Sequence, residues 1–231
     1  FASIVAAVEQ GRGTYDNIRK TLQYLLSGNV GELLLMTGAV ALGLPLALLP
    51  VQLLWINLVT DGLPALCLAT DPIDIGVMQR PPRRRSDSLM DRAFIGRVAL
   101  TGLLTAGVAL AVYLHSLGRY PVEMARAHAF SALVYAELLR SFGARSHSVP
   151  VCRLGLLSNL KLAAVVAVSL AIQLVMPHVG LLGRVFEVPD MPIGHCLVLV
   201  ALGAIPLVVL ELLKLARRAR PRVLESGSEV T

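Results

Sequence analysis

The sequence predicts an all-α, polytopic membrane protein, a bundle of six transmembrane helices. Three observations lead there. Of its 231 residues 55% are hydrophobic and 16% charged, with a mean hydropathy of +0.70, well outside the range of a soluble domain. The apolar residues gather in runs of about 20, long enough at 1.5 Å per residue to cross a hydrocarbon core of about 30 Å. Lys and Arg sit in short segments between those runs, where membrane topology puts them. The same placement argues against nucleic acid as a partner despite a net charge of +6, and makes the lipid bilayer the expected surroundings.

Residues 1–21, FASIVAAVEQGRGTYDNIRKT, are mixed and basic and predict a helical approach to the membrane. The first span, 22–44, contains Asn29 and Glu32. A hairpin at 44–49, marked by Pro45, leads into the second span at 50–69. Residues 70–93 form a polar loop rich in Pro and Arg. The third span, 94–116, has no charge at its centre. The fourth, 126–146, is the least hydrophobic and holds Glu137, so it needs neighbours on every side. The fifth and sixth, 160–177 and 192–215, precede a basic tail at 216–231 whose last ten or so residues read as disordered. The domain expectation is therefore an approach at 1–21, a six-span cation-transport domain at 22–215, and a tail at 216–231. Cys67, Cys152 and Cys196 are isolated and read as small buried residues, with no metal or disulfide spacing. The chain opens on Phe1 without Met, and is expected to be a piece of something longer.

Orientation follows from the basic residues. Eighteen of the 21 Lys and Arg fall on one side of this topology, including the loop Arg83 to Arg85, and Arg119, Arg126 and Arg184 fall on the other. By the positive-inside rule both termini are cytoplasmic.

The second span, PVQLLWINLVTDGLPALCL, carries Asn57, Thr60 and Asp61 in its middle. An acid at that depth costs roughly 2.5 to 3.5 kcal/mol on insertion scales and is a functional site by default. The three stand at i, i+3 and i+4, so a helix turns their oxygens to one side. Gly62 and Pro64 then weaken the backbone ladder just beyond. Asn and Thr alone would equally well glue helices together; Asp61 tips the reading toward a cation site. Depth joins the spans, because Glu32, Asp61 and Glu137 all lie near the middles of theirs. Packed together, Asn29, Glu32, Asn57, Thr60, Asp61 and Glu137 offer oxygen ligands with three negative charges and neither Cys nor His. That set favours Ca²⁺, with Mn²⁺, Na⁺ or protons as alternatives. For Glu137 a structural ion pair with Arg140, three residues on, is the alternative.

The runs IVAAVEQGRGTYDNIRK, LLSGNVGELL, GLPLALLPVQLLWINLVTDGLPALCLATDP and MQRPPR resemble the stalk and the fifth and sixth membrane helices of P-type cation-transporting ATPases, closest to the sarcoplasmic-reticulum type of calcium pump. The resemblance implies that the six spans are that family's fifth to tenth membrane helices. It also implies that Asn29, Glu32, Asn57, Thr60, Asp61 and Glu137 match its calcium ligands, Asp61 bridging two sites. The partner it implies is an N-terminal part of the pump, bearing the phosphorylation domain and the fourth membrane helix. Ca²⁺ would be the transported ion; Mg²⁺ and ATP would act only through those cytoplasmic domains. The expected location is the plasma membrane of a prokaryote. The sequence departs from the family in having Arg140 where a small polar residue is usual. It also contains no DKTGT phosphorylation motif, so the chain alone should not hydrolyse ATP. The rival reading is a freestanding truncated membrane protein that binds ions or partners without pumping.

Overall fold

A computed structural model of the chain describes residues 1–73, 76–81, 88–146 and 149–219, and among these every regular element is helical. The loop at Arg83 to Arg85 and the tail beyond residue 219, on which part of the orientation argument rests, lie outside the described residues.

Helix α1 (Ala2–Ala41) runs unbroken for 40 residues, about 60 Å at 1.5 Å per residue. Its first ten residues are exposed and burial begins at Gly13, so approach and span are one rod. The helix stops at Ala41, three residues before the expected end, because Gly43 adopts φ +68°. In that left-handed turn Gly43 N–H donates to Val40 O and Leu44 N–H to Ala39 O, which satisfies carbonyls a helix end would otherwise strand.

Pro50 then starts α2 (Pro50–Trp55), with Leu49 N–H donating to the Gln52 side chain at 3.0 Å. A π-helical segment over Ile56–Gly62 follows, and α3 (Leu63–Ala69) completes the span. The sequence located the loosened backbone beyond Asp61; the wide turn instead contains Asn57, Thr60 and Asp61. Pro64 has no N–H for the carbonyl of Thr60, and the Tyr24 hydroxyl on α1 donates to that carbonyl at 2.7 Å.

Helix α4 (Arg92–Leu117) starts on the Asp91 carboxylate, which accepts from Phe94 N–H at 2.6 Å, and lies along α1. Helix α5 (Val122–Ala144) is the hub. It packs on α1 and α4 and on helices later in the chain, and 16 of its 23 residues are buried. A short α6 (Val151–Leu154), which has no buried residue and leaves Cys152 exposed rather than buried as the sequence predicts, leads to α7 (Leu160–Val175), capped by Asn159 accepting from Leu162 N–H. After α8 (Gly180–Val185) come α9 (Ile193–Gly203) and α10 (Ile205–Ala219). The sequence predicted α9 and α10 as one helix. They break at Ala204 because Pro206 cannot donate to Leu202 O.

Among the described residues, five helical stretches are long and apolar enough to cross a membrane: Ala2–Ala41, Pro50–Ala69, Arg92–Leu117, Leu160–His178 and Ile193–Arg217. Helix α5 has the length but not the hydropathy. Its environment explains the difference, since protein rather than lipid covers most of its surface.

Candidate cation site

Three acids from three helices meet in the core. Glu32 on α1, Asp61 in the π segment and Glu137 on α5 each offer a carboxylate oxygen within 4.8 Å of the others, and all three are buried. At about that separation two unit charges repel by roughly 3 kcal/mol even at an effective dielectric near 20. A cluster of this kind is relieved by a bound cation or by protons.

The neutral oxygens lie around the acids unevenly. Asn57 Nδ2 donates to Glu32 Oε2 at 3.3 Å and to Leu53 O at 2.9 Å. Thr60 Oγ1 is 3.4 Å from Glu137 Oε2 and 2.8 Å from Ile56 O. Asn29 sits on α1 one turn before Glu32 but is exposed and, among the described residues, has no hydrogen-bond partner. The structure thus gathers Glu32, Asn57, Thr60, Asp61 and Glu137, and leaves Asn29 on the rim.

What the acids lack is as informative as what they have. Both oxygens of Asp61, Oε1 of Glu32 and Oε1 of Glu137 are buried with no hydrogen-bond donor. Native interiors pair such groups almost without exception. One oxygen from each of the three acids converges, as oxygen ligands of a hard cation would.

Three residues that the sequence did not single out support this arrangement. Tyr24 holds the wide turn against α5, its hydroxyl lying 2.7 Å from Thr60 O and 3.3 Å from Glu137 O. Gly28 makes room for Asp61, since a Cβ there would sit 2.8 Å from Asp61 Oδ2. Thr105 on α4 packs its Cβ and methyl against Gly31 of α1, and its hydroxyl is buried without a partner. The one available signal was spacing, because Tyr24, Gly28 and Glu32 follow each other at i, i+4 and i+8 on one helix face.

Arg140 does not take the role of partner to Glu137. Among the described residues no ion pair joins them. The guanidinium lies over the Tyr24 ring, 4.8 Å from its centroid, and both terminal nitrogens reach Tyr24 O at 3.4 Å.

The chain's relatives agree with a cation role. A family model described as cation transporting ATPase, C-terminus, matches residues 45–216. Among curated proteins, the chain is 37% identical over 208 residues to a calcium-transporting ATPase of Bacillus subtilis (strain 168), covering 89% of this chain and 23% of that protein. It is 34% identical over 234 aligned positions to calcium-transporting ATPase 1 of Bacillus cereus (strain ATCC 10987 / NRS 248), covering 94% of this chain and 26% of that one. The chain therefore spans about a quarter of the length of the curated relatives it matches.

Proposed function

The chain belongs to the C-terminal membrane region of the P-type cation-transporting ATPases, and from that premise we propose that it forms the transmembrane cation-binding and translocation part of a calcium pump. One observation carries the proposal. Asp61 is buried at the meeting point of α1, the π segment and α5, and neither of its oxygens has a donor. A carboxylate held this way gains nothing for the fold and fits an ion. Both named relatives are calcium-transporting ATPases, and the all-oxygen donor set suits that cation.

In this reading α5 is also a span, the fourth in chain order, which brings the number to six, and the six are the family's fifth to tenth membrane helices. Asn29, Glu32, Asn57, Thr60, Asp61 and Glu137 are the ligands, of the sarcoplasmic-reticulum kind. Asn29 and Asn57, both exposed here, face the fourth membrane helix of an N-terminal part that completes the site. Residues 1–21 are the stalk, 22–215 the transport domain and 216–231 the tail, with both termini cytoplasmic in a prokaryotic plasma membrane. ATP and Mg²⁺ act on the phosphorylation domain of that partner part. Its movement reaches the site through α1, an unbroken rod from stalk to Glu32. Sliding α1 separates Glu32 from Asp61, lowers affinity and frees the ion.

ATP-driven ⁴⁵Ca²⁺ uptake by inverted membrane vesicles carrying the complete pump tests this. Calcium-selective uptake, with Mn²⁺ and Na⁺ competing weakly, is expected. Uptake of Mn²⁺ alone, or of no cation, would overturn it.

A further inference from the structure

Beside the acid cluster, one turn of α5 beyond Glu137 toward the end of the bundle where Lys and Arg gather, a cleft of about 60 Å³ opens between α1, α4, α5 and α10. Arg97, Arg140, Lys214 and Arg217 line it, together with Leu100 and Leu213. That volume is several times the roughly 10 to 15 Å³ a single water needs. Only Lys214 has an acid: Glu211 lies 2.5 Å away and also accepts from Val151 N–H. Arg97 donates to the neutral side chain of Gln23 at 3.2 Å. Among the described residues neither Arg97, Arg140 nor Arg217 has a carboxylate within ion-pair distance.

Arg140 is the sharpest anomaly. It is 3% exposed, its Nε has no partner, and its two terminal nitrogens share one carbonyl at a long 3.4 Å. A guanidinium buried that deeply is costly unless an anion meets it. Stacking on Tyr24 offsets part of the cost and leaves Nε free.

We propose that this cleft binds the phosphate of an anionic membrane phospholipid. Three guanidinium groups around a small cavity match a tetrahedral oxyanion through forked hydrogen bonds, which a single carboxylate would use poorly. The cavity accommodates a phosphate and nothing as large as a nucleotide. Leu100 and Leu213 on the same wall give an acyl chain a surface to follow out of the cleft. Basic pockets between membrane helices capture anionic headgroups in this manner. The cleft shares Tyr24 and Arg140 with the surroundings of the acid cluster but takes none of its carboxylates, and it stands whichever ion is carried.

The test is native mass spectrometry of the delipidated full chain in neutral detergent, titrated with phosphatidylglycerol or phosphatidylcholine. The wild type is expected to retain one phosphatidylglycerol in preference to phosphatidylcholine. The double variant Arg97→Gln/Arg217→Gln should bind it about tenfold more weakly. The control Arg119→Gln/Arg184→Gln, which removes as much charge from outside the cleft, should bind as the wild type does. A circular dichroism spectrum like the wild type's would separate lost binding from lost fold. Millimolar inorganic phosphate supplies the other source: failure to displace the lipid supports a lipid site, and full displacement would overturn the lipid assignment in favour of free phosphate. Equal binding of the two lipids, or equal loss in the control, would overturn the site itself.

Discussion

Asp61 and Asp71 stand ten residues apart, both buried at 1% and 6% exposure, and the molecule treats them in opposite ways. The Asp71 carboxylate accepts from Arg145 Nε at 3.1 Å and Asn159 Nδ2 at 2.8 Å, with Lys20 Nζ at 3.5 Å. Its carbonyl accepts from Asn17 at 2.7 Å. One acid thereby ties α1, α3, α5 and α7 together at the basic end. Asp61 has no donor, and its neighbours are two further acids. A satisfied carboxylate stabilises a fold, whereas an orphaned one is retained against stability. In the proposed reading, the difference separates a structural acid from a working one.

Substitution should split the pair cleanly. Asp71→Ala leaves Arg145 buried without its anion and should cost about 3 to 5 kcal/mol. Asp61→Asn should leave stability unchanged or higher. Thermal unfolding of the purified protein in detergent, followed by size-exclusion recovery, reads both, and equal destabilisation by the two would erase the distinction.

Gly28→Ala sharpens the contrast at closer range. The added methyl would press on Asp61 Oδ2 and should cost about 2 kcal/mol by overpacking. Because Asp61 must turn aside, cation affinity should fall by more than the melting temperature suggests. Wild-type affinity in that variant would mean that Asp61 is free to move.

Tyr24→Phe should cost about 1 kcal/mol by leaving the Thr60 carbonyl without its donor. Its signature is again a cation affinity that drops with little change in overall fold, measured by calcium titration alongside circular dichroism.

The smallest effect belongs to Asp91, where α4 begins. A hydrogen bond from Arg19, then the Phe94 N–H, holds its carboxyl below the ordinary aspartate range. A depressed folded value means the stabilisation is complete at neutral pH and disappears as acid carries the solution down through that value. The pair is partly exposed and screened, so Asp91→Asn should cost only about 0.5 kcal/mol. Melting curves of wild type and variant should differ at pH 7 and converge as acid takes the solution below the ordinary aspartate range.

Much of this was legible in the sequence because hydropathy and depth are one-dimensional properties. Runs of apolar residues marked the spans, and the positions of Glu32, Asp61 and Glu137 within them put three acids at one level. What stayed hidden depends on pairing between distant residues. Nothing local in TDP says that Asp71 will meet Arg145 and Asn159, 74 and 88 residues away. Nothing near Tyr24 says that Pro64 will leave it a carbonyl. Arg140 was read against Glu137, its neighbour along the helix, and found Tyr24 across the interface instead. The break at Pro206 was visible in principle, but the apolar run on both sides of it hid the lost hydrogen bond.

Equilibrium ⁴⁵Ca²⁺ binding to the complete pump, wild type beside Asp61→Asn, tests the central claim most directly. The account predicts saturable binding in the wild type and its loss in Asp61→Asn, at unchanged helical content and melting temperature, because removing one of three converging charges weakens every ligand arrangement that uses them. Undiminished calcium binding by a folded Asp61→Asn protein would contradict it.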